Sequence, residues 1–396
     1  MPFTIKQHRI FPPCGLRGFF LCLIVCLCTL SSCIEEFEAD LPSDDSGLLV
    51  VEGTISSGMN AFVLTRTLPL NSNEALPRVS GATLSVRGSD GSEYVAEGYY
   101  GQYFCWIDSL YADKEYWLHI EVDGEVYESE PQHPLPTEGI AELTGVQSTP
   151  ESDIDILITP EEPADTTKTG YYLWTYIETW EVRPLHTTRY YFDVERKSCI
   201  YKPHQFPERG WKDAADETII VGSSTNYKNH HLQKYKVYGI KRNNERIFYK
   251  YTTLLRQRAI SKAEYEYLLA CRQADSEMGG LFTPQPSALP TNIRCLTSNK
   301  RVIGFVGCSM NTCERRIFLK GTDYSVEYPN IDARQWFKNC DEEFCCEVAA
   351  TGLYLCEWQD NRPAGPDGLT TAWAFRKFLD VTCDGAYTDM PPYWEE

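Results

Sequence analysis

Sixteen cysteines and seven histidines are the residues of this chain best equipped for chemistry, and their spacing decides which chemistry is open to them. Zinc sites draw on pairs such as Cys-x₂-Cys or His-x₃₋₅-His. Neither spacing occurs. His230-His231 is an adjacent pair whose side chains would leave a strand on opposite faces, so it reads as a surface loop. Asp153 with Asp155, and Asp360 and Asn361 with Asp367, could offer oxygen ligands to Ca²⁺. Neither group follows a calcium-loop pattern, and both read as solvated residues. There is no Gly-x-Ser-x-Gly elbow, no His-Glu-x-x-His, no phosphate loop and no dinucleotide fingerprint. Carboxylate pairs for glycoside hydrolysis are set in space rather than in sequence, so the 56 acidic residues leave that chemistry open. No metal and no cofactor is implied. The thiols read instead as cross-links, and one of them as a point of attachment.

That one is Cys33. Residues 1–17 carry Lys6, Arg9 and Arg17 and no acid, and residues 18–30, GFFLCLIVCLCTL, form an apolar run. Spanning a bilayer takes about 20 apolar residues, more than this run supplies. A basic stretch, a short apolar core and small residues before a cut make a secretory signal over residues 1–32. Leu30-Ser31-Ser32-Cys33 is similar to the bacterial lipobox. The small pair fits a narrow peptidase pocket, and the thiol takes a diacylglyceryl group. Cleavage then leaves Cys33 as the lipid-bearing first residue, with several acyl chains for a stable anchor. Residues 33–46 follow as an acidic tether containing Glu35, Glu36, Glu38, Asp40, Asp44 and Asp45. Such a charge-rich, core-poor segment stays unfolded. Glu35, Glu36 and Glu38 also resemble the signal that sends Bacteroidota lipoproteins to the cell surface.

Removing residues 1–32 takes away three basic residues and no acid. The rest carries 34 Lys+Arg against 56 Asp+Glu, a net charge of −22 where the full chain has −19. A surface this acidic repels phosphate backbones, which excludes nucleic acid as a partner. In an exported chain the later cysteines read as disulfides. They are Cys105, Cys199, Cys271, Cys295, Cys308, Cys313, Cys340, Cys345, Cys346, Cys356 and Cys383. Their number is odd, so at least one thiol is free or pairs between chains.

The elements that would position these residues are mostly strands. Over 47–130 the alternation of Ala82, Leu84 and Val86, and of Tyr116, Leu118, Ile120 and Val122, predicts short half-buried strands. Asp123-Gly124 marks a tight hairpin. Together they predict a small Ig-like or transthyretin-like β-sandwich. PQHPLPTEG, 131–139, is a connector. A larger β-rich domain is expected over 140–331, with the aromatic strand YYLWTYIETWEV read as sheet packing. Its one clear helix lies near 261–278, opened by Ser261 and Glu264 as a capping box. RVIGFVG and ERRIFLKG read as a hairpin whose loop a Cys308–Cys313 disulfide would clip. The tail, 332–396, holds Cys340, Cys345, Cys346, Cys356 and Cys383 and is expected to pack on the second domain, held by cross-links as much as by burial.

Several motifs then fall in a familiar order: Gly279-Gly280-Leu281-Phe282, Pro284-Gln285-Pro286-Ser287, Asn292-Ile293 and Gly304-Phe305. With LLVVEGTI after the acidic tether and CDGAYTDMPPYW at the end, they resemble a Bacteroidota family known as domain of unknown function 4249. The resemblance implies an outer-membrane lipoprotein with a β-sandwich before a larger β-rich domain. It also implies a gene often found beside those of TonB-dependent receptors, and no known activity. The expected function is that of a surface-exposed, lipid-anchored, non-enzymatic accessory to a TonB-dependent β-barrel, capturing substrate or capping the barrel. A structural or adhesive envelope protein and a hydrolase with an unrecognised site are the alternatives.

Overall fold

The computed structural model describes residues 47–68, 75–184, 190–193, 195, 198–201, 207–215, 218–277, 289–328, 335–338, 353–361, 370–377, 386 and 388–394. Cys33, Glu35, Glu36, Glu38, Cys340, Cys345, Cys346 and Cys383 lie outside the described residues, as does the side chain of Cys356.

In chain order the first strands are β1 (Leu49–Ile55), β2 (Gly58–Arg66), β3 (Thr83–Gly88), β4 (Glu93–Val95), β5 (Glu97–Tyr99), β6 (Gln102–Ile107), β7 (Tyr116–Val122) and β8 (Glu125–Ser129). Next come β9 (Ile140–Gln147), β10 (Ile154–Pro160), β11 (Tyr171–Val182), β12 (Tyr190–Asp193), β13 (Ser198–Tyr201), β14 (Gly210–Ala215), β15 (Ile220–Ser223), β16 (Tyr235–Ile240) and β17 (Lys250–Ala259). Helix α1 (Lys262–Glu277) precedes β18 (Ile293–Cys295), β19 (Val302–Cys308) and β20 (Cys313–Lys320). Then follow β21 (Gln335–Lys338), β22 (Leu353–Asn361) and β23 (Thr370–Lys377), which pair in the order β21-β23-β22. The described residues are thus mostly β, with one α-helix among them.

Two sheets make an Ig-like sandwich, with strand orders β19-β1-β2-β6-β5 and β18-β8-β7-β3-β4. The alternation in the sequence sets their inner faces. Leu84 and Val86 point into the core from β3, and Tyr116, Leu118, Ile120 and Val122 do so from β7. They meet Leu49, Val51 and Ile55 of β1 and Phe62 and Leu64 of β2. The β7–β8 hairpin turns at Asp123 (φ 52°) and Gly124 (φ 77°), the two positive φ values that a two-residue type I′ turn requires.

The sandwich does not end with β8. Its two sheets each take a strand from beyond α1, and β19 lies parallel to β1 from Leu49↔Val302 to Ile55↔Cys308. The expected second domain over 140–331 is therefore interrupted, since residues 293–308 belong to the first. Ile293, Val302, Val306 and Cys308 are members of the sandwich core. Gly304 makes the close approach of β19 to β1 feasible. Its φ is +126°, and a Cβ placed there would lie 2.0 Å from the Val51 carbonyl oxygen.

The second unit packs the sheet β16-β10-β9 against the sheet β14-β11-β17-β20, with β15 pairing on β11. The aromatic strand β11 is core, as its packing reading expected. Tyr172, Trp174 and Tyr176 point inward, and Tyr176 stacks on Tyr238 of β16 at 4.0 Å. On β14, β17 and β20, Trp211, Lys250 and Phe318 receive the chain's penultimate aromatic segment. The buried Trp394 packs edge-on against Trp211 and Phe318, and the Arg316 guanidinium lies 3.8 Å over the Tyr393 ring.

Strands β19 and β20 do not form the expected hairpin, and the expected Cys308–Cys313 bridge is not made. β19 pairs with β1 in the sandwich, whereas β20 pairs with β17 in the second unit, so residues 309–312 are a crossing between units. Cys308 is a free thiol in the sandwich core, and Cys313 is a free thiol whose sulfur faces the Thr137 carbonyl and the Asn311 amide. Adjacent strands usually pair with each other. Here each finds its partner in a different sheet.

Gly304→Ala tests the shared strand. The added methyl meets backbone rather than a movable side chain, so we expect a loss of about 3 kcal/mol or more in a denaturant titration. An unchanged midpoint would show that β19 can shift away from β1 at no cost.

Candidate functional site

The two outer faces of the sandwich differ in kind. On the sheet containing β7, Ser85, His119 and Glu128 stand in one cross-strand row. The His119 ring nitrogens lie 2.9 Å from Glu128 and 3.1 Å from Glu121. Arg87 donates to Glu93 at 2.9 Å, and the Ser85 hydroxyl donates to the same carboxylate. Those two hydrogen bonds hold the Glu93 carboxyl below the usual range, Arg87 contributing most. Each polar side chain in this row meets another, so it reads as a ladder that ties β3, β7 and β8 together.

The opposite sheet presents more apolar surface, interrupted by Glu97 of β5 and Glu52 of β1. Met59 of β2 and Trp106 of β6 are direct cross-strand partners, exposed by 62% and 59%. In the next pairs on that face, Ala61 lies opposite Phe104 and Val63 opposite Gln102, and β5 adds Glu97 beside Phe104 and Tyr99, 67% exposed, beside Gln102. The Trp106 indole N–H donates to Asp108 at 2.8 Å, which fixes the ring's orientation. Helix α1 covers the β19 side of the sheet, where Tyr267 stacks on Phe305 at 5.6 Å. The β2–β6–β5 side has no such cover among the described residues. Scattered exposed apolar residues are ordinary, whereas a contiguous stripe on rigid strands marks an interaction surface.

Two buried carboxylates elsewhere in the chain could be mistaken for catalytic groups. Glu178 of β11 accepts from Tyr251 at 2.6 Å and from Arg246 at 2.5 Å. Tyr238 and Tyr251 share a hydroxyl contact of 2.8 Å, and the Arg246 guanidinium sits over the Trp180 ring. Burial, then the neighbouring Tyr238 and Glu178, push the Tyr251 phenol far above its usual range, so it stays a hydrogen-bond donor. Glu264 accepts from Arg258 at 2.7 Å at the junction of the two units. Ser261 caps α1 as expected, accepting from the Glu264 backbone N–H at 3.1 Å, but the reciprocal arm of the capping box is diverted to Arg258. Both carboxylates are held by fixed donors, which is the arrangement of structural acids.

The other sequence candidates are dispersed. His231 contacts the Pro160 carbonyl and His230 contacts Thr169, so the pair is split within a turn. Asp153 and Asp155 bind Lys241 and Lys236 separately. The side chains of Asp360, Asn361 and Asp367 lie outside the described residues. Among the described residues no group of three His, Cys, Asp or Glu side chains is placed to hold a metal. The apolar stripe escaped the sequence reading, because alternation shows that a strand has two faces without showing which neighbour covers each.

The thiols differ sharply. Burial pushes Cys105 up to about 11 and, with Glu264 nearby, Cys308 up to about 12; it raises Cys313 as well. Burial raises Cys295 too, but the Ser298 and Thr297 hydroxyls and backbone N–H groups outweigh it and leave that thiol below its usual value. A thiol reacts as its thiolate. Limited alkylation at pH 7.5, read by peptide mass spectrometry, should therefore label Cys295 before Cys105, Cys308 and Cys313, with Cys308 the last. In denaturant melts, Arg246→Ala should cost about 2–3 kcal/mol by leaving Glu178 buried without its cation, and adding Glu178→Leu should recover most of that. A double variant no more stable than the single one would count against an unpaired charge as the cause.

The comparisons place the chain at the level of a family. No curated protein matches the chain. A protein of the DUF4785 family from Legionella pneumophila is 10% identical, with 53% of this chain and 52% of that one covered and a TM-score of 0.16. This chain thus spans about half the length of that protein. A two-domain fibronectin type-III segment from chicken tenascin is 11% identical, with 54% and 91% covered and a TM-score of 0.13. A family described as a domain of unknown function (DUF4249) matches residues 34–315, from the acidic tether into β20. By that match, which takes in the sandwich, its returning strands and most of the second unit, the chain belongs to the DUF4249 family.

Proposed function

We propose that this protein is a non-enzymatic, lipid-anchored outer-membrane lipoprotein, displayed at the cell surface, that docks through its apolar sandwich face onto a TonB-dependent β-barrel. The asymmetry of the two outer faces carries the reading. One face is laced with side-chain hydrogen bonds, and the other leaves Met59, Trp106 and Tyr99 open. Aromatic residues and methionine are the side chains that anchor protein interfaces, and a ring held in place loses little entropy on binding. The lipobox at Leu30–Cys33 supplies the membrane, and the family resemblance supplies the class of barrel. The buried acids at Glu178 and Glu264, each met by an arginine, favour a binding protein over a hydrolase.

Isolation of the tagged, lipidated chain from native outer membrane in mild detergent tests the partner. A TonB-dependent barrel in stoichiometric yield is the expected result, and a clean monomer rejects it. Met59→Asp/Trp106→Ala should keep its melting temperature, since both residues are exposed. It should lose the barrel by about tenfold or more, as removal of a central aromatic anchor does. Undiminished capture would move docking to another surface. Cys33→Ser should abolish incorporation of labelled fatty acid, and labelling that persists would remove Cys33 as the anchor.

A further inference from the structure

A cavity of ≈ 430 Å³ lies along β18 and β19, away from the apolar stripe, and its lining separates into two parts. The half-buried Leu289 and Ile303 supply its apolar side chains, with Ile293 and Val302 turned into the sandwich core beneath, and Arg294, Lys300 and Arg301 supply cations. No Asp or Glu is among the lining residues, although the chain as a whole carries a net −19. Three cations within eight positions, converging on one concavity of an acidic protein, are the reverse of its general surface.

The loop that carries them is built rather than loose. Glu125 of β8 accepts from Tyr127 at 2.5 Å, from Ser298 at 3.1 Å and from Lys300 at 2.9 Å. Leu296 N–H donates to the Val126 carbonyl at 2.7 Å, and Val126 N–H donates to the Thr297 hydroxyl. Glu125 thus sets the position of Lys300 while meeting part of its charge. Arg294 makes no ion pair and no side-chain hydrogen bond among the described residues. Its planar fork suits two oxygens of one phosphate, and a lysine beside it acts as a point charge on the same group. Ligand pockets of this size bury an apolar body and orient it by a few polar groups.

We propose that this cavity binds an anionic amphiphile, with a phosphate head on Arg294 and Lys300 and an apolar body against Leu289 and Ile303. A phosphate of this kind could come from a phospholipid surface or from a soluble alkyl or isoprenyl phosphate, and the experiment separates the two. The full mature chain is titrated with octyl phosphate by calorimetry, and its cosedimentation is measured with vesicles of phosphatidylglycerol and of phosphatidylcholine. Saturable octyl phosphate binding is expected, weakened about tenfold or more in Arg294→Gln/Lys300→Gln and less in Arg294→Lys, as befits loss of charge-assisted bonds. Cosedimentation with phosphatidylglycerol alone, competed by octyl phosphate, assigns the lipid source; octyl phosphate binding without cosedimentation assigns a soluble ligand. No saturable binding at millimolar octyl phosphate overturns the proposal, as does equal binding by the double variant. Should the double variant melt early, Arg294→Glu alone carries the same test, since that side chain has no partner to lose.

Discussion

The parallel contact of β1 with β19 is the constraint on which the remaining architecture rests. Seven residue pairs bring together segments whose first members, Leu49 and Val302, stand at opposite ends of most of the described chain. To make that contact the chain must leave the sandwich after β8, build the second unit and return. The outbound and returning segments run side by side. Leu135 N–H donates to the Cys308 carbonyl, Met310 N–H donates to the Leu135 carbonyl, and the Thr137 hydroxyl donates to the Asn311 carbonyl. The second unit is thus an insertion between strands of the first, and the two crossings are hydrogen-bonded to each other through backbone and side-chain groups.

The junction carries charge as well as backbone. Arg258 at the end of β17 reaches Glu264 in the first turn of α1 and Ser309 in the returning segment. The Ser309 hydroxyl donates to the Ala259 carbonyl, and its N–H donates to the Ile55 carbonyl. One serine therefore touches β1, β17 and the arginine between them. Gly307 leaves the room this needs, since a Cβ there would lie 2.3 Å from the Glu264 carboxylate. A network satisfied at each of these atoms fixes the angle of two units more firmly than apolar contact alone, because polar partners leave little freedom of register.

Local chemistry was legible in the sequence, and long-range pairing was not. Alternation identified the inner faces of β3 and β7, Asp123-Gly124 identified a turn, and Ser261 identified the start of α1. Each rests on neighbours within a few positions. The pairing of β19 with β1 rests on residues far apart, and nothing in RVIGFVG distinguishes a hairpin strand from a returning one. The expected Cys308–Cys313 bridge failed for the same reason, because proximity in sequence was taken for proximity in space. The stripe at Met59 and Trp106 was hidden because both residues look like ordinary strand positions until the cover on each face is known. The cationic cavity was hidden by averaging, since Arg294, Lys300 and Arg301 vanish into a strongly negative total.

The shared strand also sets an order of events during synthesis. Until Val302–Cys308 has emerged, β1 has an unmatched edge and the sandwich lacks part of its wall, so the first domain made is not the first domain finished. A nascent chain in this condition keeps its amino-terminal half open for most of its length. Such a chain stays a thread until its late strand arrives, and its first sandwich cannot close early.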